Sequence, residues 1–112
     1  MTLNNFPDNN NNIKCGKLYR FFCDKNKSAN MFIFVSDDKN KTYIELLNNQ
    51  VFMLTNMIPT SVGLERGKIG SYRLYFLVGV SEYFFSTFDI ASGVADRYFT
   101  EFDFSLFFTE VI

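Results

Sequence analysis

The chain has 112 residues, a net charge of −1 and a hydrophobic content of 47%. This length suits a single domain with one core, and the hydrophobic content excludes a disordered chain. Histidine is absent, which removes the most common general base and the usual nucleophile–histidine pairs, so we expect no enzyme activity.

Aromatic residues dominate the composition, with fifteen Phe, six Tyr and no Trp. Phe and Tyr pack well on the pleated, half-buried surface of a sheet. The composition therefore favours an all-β fold.

The first twelve residues differ from the rest of the chain, because they are polar and end in the run Asp8-Asn9-Asn10-Asn11-Asn12. We expect a flexible Asn-rich leader over residues 1–12 and a single β-barrel domain over residues 13–112. The start carries no secretory signal pattern, and no apolar run is long enough to span a membrane. Cys15 and Cys23 are too far apart on one strand to bond, so a reduced, cytoplasmic setting without membrane contact is expected.

From Ile13 onward, short β-type runs alternate with turn residues. The predicted strands cover residues 14–23, 31–35, 42–46, 50–58, 72–80, 82–88 and 98–109. Residues 59–70 form the longest predicted loop after the leader, since Pro59 ends a strand and three glycines follow. A tight turn near Gly79 to Glu82 predicts a hairpin of the fifth and sixth strands.

The last part of the chain is predicted to hold one short helical turn near residues 89–97 and then a half-buried strand over Tyr98 to Thr109. Alternation along that strand predicts one apolar face and one wet face. The apolar face is made by Phe102, Phe104, Leu106 and Phe108, and the wet face by Glu101, Asp103 and Ser105.

Three segments carry a resemblance to a known fold: Gly16 to Tyr19, Glu45 to Leu54, and Tyr72 to Phe88. In chain order, they resemble three features of small SH3-like β-barrels. These are the entry to the first strand, the turn before an apolar strand and the tight central hairpin. Accessory proteins of tailed bacteriophages commonly use such barrels. The resemblance implies an antiparallel SH3-like barrel of five to seven short strands, with the loop at 59–70 and the aromatic C-terminal extension as departures from a minimal barrel.

The candidate motifs for cofactors and metals lack required residues. The segment Gly63 to Ile69 has one residue too few for a phosphate loop and lacks its Ser/Thr. Asp37 to Asn40 lacks the glycine and the distal glutamate of a calcium loop, and two isolated cysteines cannot build a zinc site. We expect no catalytic residues, no metal and no cofactor.

Charge is distributed unevenly along the chain. Up to Leu74 there are ten basic and six acidic residues, whereas from Tyr75 onward there is one basic residue and six acidic ones. Five of these acidic residues are candidate contacts for a protein partner: Glu82, Asp89, Asp96, Glu101 and Asp103. Surplus aromatic side chains toward the end, at Phe99, Phe107 and Phe108, would add an apolar patch or a homodimer contact.

The favoured function is therefore a small non-enzymatic protein-binding module with an acidic and aromatic C-terminal face. By the resemblance, it would be phage-encoded and would inhibit or modulate a host protein or a defence complex in the host cytoplasm. An alternative is a barrel that binds nucleic acid or a nucleotide-type ligand through Tyr72, Arg73 and Tyr75, although a pI near 5.3 opposes it. A structural virion component is a further alternative.

Overall fold

The computed structural model describes residues 13–24, 30–59 and 70–112. The predicted leader at 1–12 and most of the predicted loop at 59–70 lie outside these residues. The elements in chain order are β1 (Leu18–Phe21), β2 (Asn30–Ser36), β3 (Tyr43–Glu45), β4 (Val51–Pro59), β5 (Tyr72–Val78), β6 (Ser81–Asp89), β7 (Val94–Asp96), α1 (Glu101–Phe107) and β8 (Phe108–Glu110).

The strands form one curled antiparallel sheet, which confirms the all-β prediction and has the shape of a half-barrel. Seven strands follow the order β3-β2-β6-β5-β4-β1-β8, and the short β7 pairs with β6 beside this path. Within the described part of the chain, β3 and β8 are the two ends of the order and do not pair with each other.

The predicted hairpin of β5 and β6 is confirmed. Val78 pairs with Ser81, which leaves Gly79 and Val80 as a two-residue turn, and Gly79 has a φ of 64°. A positive φ at the first turn position requires glycine in practice, so Gly79 determines where this hairpin reverses.

Strands β5 and β6 pair only near their turn and then separate. Beyond the pair formed by Tyr75 and Phe84, β6 pairs instead with β7, while Tyr72 of β5 forms an isolated bridge with Phe99. The segment from β7 to Phe99 therefore fills the gap between the two diverging strands. This arrangement lets a single sheet curl around one core.

Phenylalanine fills the inner face of the curled sheet. The rings form a continuous network in which Phe34 lies 5.1 Å from Phe76 and Phe76 lies 4.8 Å from Phe108, between ring centroids. The largest side chains of this network with almost no exposure are Phe21, Phe34, Phe76, Phe85, Phe104, Leu54 and Leu74. Burial of each such side chain contributes roughly 1.5–3 kcal/mol, so this network is the main source of stability.

The first strand alternates between a buried and an exposed face. In β1, Tyr19 and Phe21 are buried while Leu18 and Phe22 on the other face are exposed. The prediction for the end of the chain is wrong. Residues 101–107 are helical, and only Phe108–Glu110 forms a strand.

The helix α1 begins where it does because Thr100 caps it. The Thr100 hydroxyl accepts a hydrogen bond from the Asp103 amide at 3.1 Å, and the Asp103 carboxylate accepts one from the Thr100 amide at 3.0 Å. This reciprocal capping box satisfies amides that a helix start otherwise leaves unbonded. Phe104 then packs on Tyr19 at 4.9 Å and on Phe108 at 5.0 Å between centroids, so α1 covers the inner face of the sheet.

The helical turn predicted near 89–97 is found in its first half only. The Gly93 amide donates to the Asp89 carbonyl at 2.8 Å, which closes one helical turn, and the chain then continues as β7. Gly93 has a φ of 75°, a conformation that does not continue a right-handed helix.

Candidate functional site

The three residues predicted to bind nucleic acid or a nucleotide-type ligand lie on one strand but do not share one surface. Tyr72 packs against the inner aromatic core. Arg73 and Tyr75 lie on the outer face of β5, where Tyr75 belongs to a small buried cluster. Alternation along a strand explains the separation, since adjacent residues point to opposite faces. The structure therefore brings Arg73 and Tyr75 to the same face and places Tyr72 on the other.

Arg73 is held between two aromatic rings. Its guanidinium carbon lies 4.7 Å from the centroid of Phe84 and 5.3 Å from that of Tyr98, and Nη2 donates to the Tyr98 hydroxyl at 3.1 Å. Partial burial acts to lower the pKa of Arg73, but its interactions with Tyr75 and Tyr98 outweigh this effect and raise the pKa above its ordinary value. Arg73 thus uses its charge in contacts within the fold, where it joins β5 to Phe84 of β6 and to Tyr98.

Tyr75 is also used within the fold. Its ring packs with Val35 and Phe84 in a small cluster on the outer face, and its hydroxyl donates to the Asp37 carboxylate at 3.3 Å. Tyr75 is only 9% exposed. A buried ring cannot stack a base in its present position, so Tyr75 offers no open stacking surface to a nucleotide-type ligand.

Two of the predicted acidic residues organise turns. The Asp89 carboxylate accepts hydrogen bonds from the amides of Ala91 and Ser92, and that of Asp96 accepts one from the Tyr98 amide. Asp side chains commonly stabilise turns in this way. Asp89 and Asp96 therefore have local structural roles.

Glu82 lies on the outer face, near the β5–β6 turn. Its carboxylate accepts hydrogen bonds from the Thr55 hydroxyl and, at 2.8 Å, from the Asn56 side-chain amide. These bonds join β6 to β4 across the intervening β5. Glu82 and the α1 residues Glu101 and Asp103 thus lie on opposite sides of the sheet.

Glu101 and Asp103 lie in the first turn of α1 and not on a wet strand face. Both are half-buried, and Asp103 is committed to the capping box. Negative charge at this end of a helix is favourable, because it faces the positive end of the helix dipole. The structure brings these two predicted residues together around the start of α1.

The predicted aromatic surplus is distributed differently from the expectation. Phe99 and Phe108 are buried and Phe107 packs against the core, whereas Phe102 is 69% exposed and Leu106 is 55% exposed. Phe102 and Leu106 are one turn apart on α1, so they share one side of the helix, and Ser105 lies beside Phe102 on that side. We call these three residues the α1 face.

The sequence contained a signal for α1 that alternation obscured. A Ser or Thr followed three residues later by an acidic residue is a capping-box pattern, and Thr100 and Asp103 match it. With a helix assigned, a spacing of four residues would have grouped Phe102 with Leu106, away from Phe104.

Metal-ligating side chains do not cluster within the described ranges. No group of three or more His, Cys, Asp or Glu side chains that could hold a metal ion occurs among residues 13–24, 30–59 and 70–112. Cys15 is exposed and Cys23 is buried, and no disulfide joins them.

Comparison with models of known protein families, with curated proteins and with solved structures found no match. The resemblance to small phage barrels accordingly stays a prediction. In the part of the chain that the structure describes, there is also no helix with the length and apolarity needed to cross a membrane.

Proposed function

We propose that the protein is a non-catalytic protein-binding module and that the α1 face is its contact surface. The supporting observation is the exposure of Phe102 and Leu106 on the same side of a capped helix. Helices commonly bind partner grooves through apolar residues spaced three or four apart.

The charge around the α1 face indicates the chemistry of the partner. Glu101 and Asp103 flank the exposed side of α1, and α1 has no basic residue in its last turn. A complementary partner surface offers an apolar groove with basic residues at its rim. Inhibition of a host or defence protein of phage-infected cells is the specific role that we propose for this contact.

Affinity purification from the native host, with quantitative mass spectrometry, tests the contact. The double variant F102A/L106A is expected to reduce capture of the partner at least tenfold relative to the wild type, because the central apolar contacts of an interface supply most of its binding energy. Val80→Ala is the matched control, since Val80 is 98% exposed at the β5–β6 turn and far along the chain from α1.

Charge reversal tests the electrostatic part separately. Glu101→Lys is expected to weaken capture and to reduce its dependence on salt. Asp103 is unsuitable for this test, because its replacement would also remove the helix cap.

Equal capture of every host protein by the wild type and the double variant F102A/L106A would contradict the assignment of the α1 face.

A further inference from the structure

The outer face of the sheet carries a groove that is separate from the α1 face. It spans the neighbouring strands β3, β2, β6 and β7 and has a volume of about 530 Å³. Small-molecule sites commonly have volumes of roughly 300–1,000 Å³ and mostly apolar linings. The apolar residues that line this groove are Met31, Ile33, Val35, Phe88 and Ala95.

The charges that line the groove are all positive. Lys41 and Arg97 contribute to the lining, and no Asp or Glu does so among the described residues. Glu45 pairs with Ile33 in the strand register, but it is not a lining residue. An apolar surface with two cations and no anion is complementary to an amphipathic anion.

Arg97 provides a second, independent indication. Its guanidinium carbon lies 5.5 Å from the centroid of Phe84, and its Nε is buried without a hydrogen-bond partner among the described residues. A buried donor without an acceptor is unfavourable, and carboxylates commonly bind arginine through two parallel hydrogen bonds. Because Nε itself is buried, a ligand carboxylate in the groove would pair with the rest of the Arg97 guanidinium, since Arg97 is one of the lining residues.

We propose that this groove binds a small organic carboxylate with an apolar chain or ring. The apolar part lies over Ile33, Val35 and Phe88, and the carboxylate pairs with Arg97. Lys41 adds longer-range attraction for the anion. This site is independent of the α1 face, so either can fail without the other.

Decanoate is a suitable probe, with decyltrimethylammonium as a cationic counterpart of similar chain length. Titration calorimetry on the full chain at low salt is expected to show saturable binding of one decanoate per chain and at least tenfold weaker binding of the cation. Arg97→Gln is expected to weaken decanoate binding at least fivefold. Arg20→Gln is the matched control, because Arg20 is an exposed arginine on β1 and does not line the groove.

Lys41→Gln gives a second test that does not depend on a buried residue, since Lys41 is exposed. It is expected to weaken decanoate binding about threefold, and this variant decides the outcome if Arg97→Gln does not fold. Three results would overturn the proposal: no saturable binding of decanoate, equal affinity for the two probes, or unchanged affinity in the variants that fold. Loss of decanoate binding in Phe102→Ala, with the groove variants unaffected, would move the site to α1 and also overturn it.

Discussion

Two buried serines differ in whether the hydroxyl group has a hydrogen-bond partner. Ser71 and Ser86 are 2% and 1% exposed. The Ser86 hydroxyl is within hydrogen-bond distance of the Asp96 carbonyl, at 3.2 Å, and so can link β6 to β7. The Ser71 hydroxyl has no partner among the described residues.

The matched replacements Ser86→Ala and Ser71→Ala are expected to have different effects. Ser86→Ala removes a hydrogen bond that stabilises the fold and should lower the free energy of unfolding by about 1 kcal/mol. Ser71→Ala removes an unsatisfied buried group and should be neutral or stabilising by up to about 1 kcal/mol. Urea unfolding of both variants measures the difference, and a larger loss for Ser71→Ala would show that its hydroxyl has a partner.

At this scale the sequence shows which residues can form polar or ring contacts but not which contacts they form. Arg73 and Tyr75 were selected as ligand contacts because they combine a cation and a ring, and the same chemistry lets them interact with Tyr98 and Asp37 instead. A single sequence does not reveal which partner a polar side chain meets after folding, since these partners are about 25 and 38 residues away along the chain.

At the scale of elements, α1 depends on its cap. Seven residues are too few for a helix to be stable by itself, so the capping box and the burial of Phe104 must sustain it. Thr100 is therefore a sensitive position outside the aromatic core.

Thr100→Val keeps the shape of the side chain but removes its hydroxyl. The variant is expected to lose about 1 kcal/mol of stability, as is typical for the loss of a helix cap. Thr100→Ser keeps the hydroxyl and should remain close to the wild type. Urea unfolding compares the two, and equal stability of the Val and Ser variants would mean that the cap does not stabilise the helix.

Most strands could be predicted because their residues alternate with period two and end at turn residues. The predicted 50–58 run and the observed Val51–Pro59 strand agree within one residue at each end. The segment at 98–109 could not be assigned from alternation. Its apolar residues recur at every second position and so match a strand, although residues 101–107 form a helix. These apolar residues are Phe102, Phe104, Leu106 and Phe108. Packing decides the outcome, since Phe104 has ring partners on β1 and β5 that no local pattern reveals.

At the scale of the whole molecule, the sheet has two faces with different roles. The inner face holds the aromatic core beneath α1, and the outer face carries a smaller buried cluster and the groove. Sequence alternation predicts that two faces exist. It does not predict the strand order or the separation of β5 from β6, because both depend on pairings between distant segments.

The assignment of the α1 face depends on one structural claim, which is that α1 buries Phe104 and exposes Phe102. Denaturant unfolding of Phe104→Ala and Phe102→Ala tests this claim directly. The helix predicts a loss of about 3–5 kcal/mol for Phe104→Ala and a change within about 0.5 kcal/mol for Phe102→Ala. Similar, large losses for both variants would contradict the helix, because only an extended strand places both rings on the same buried face.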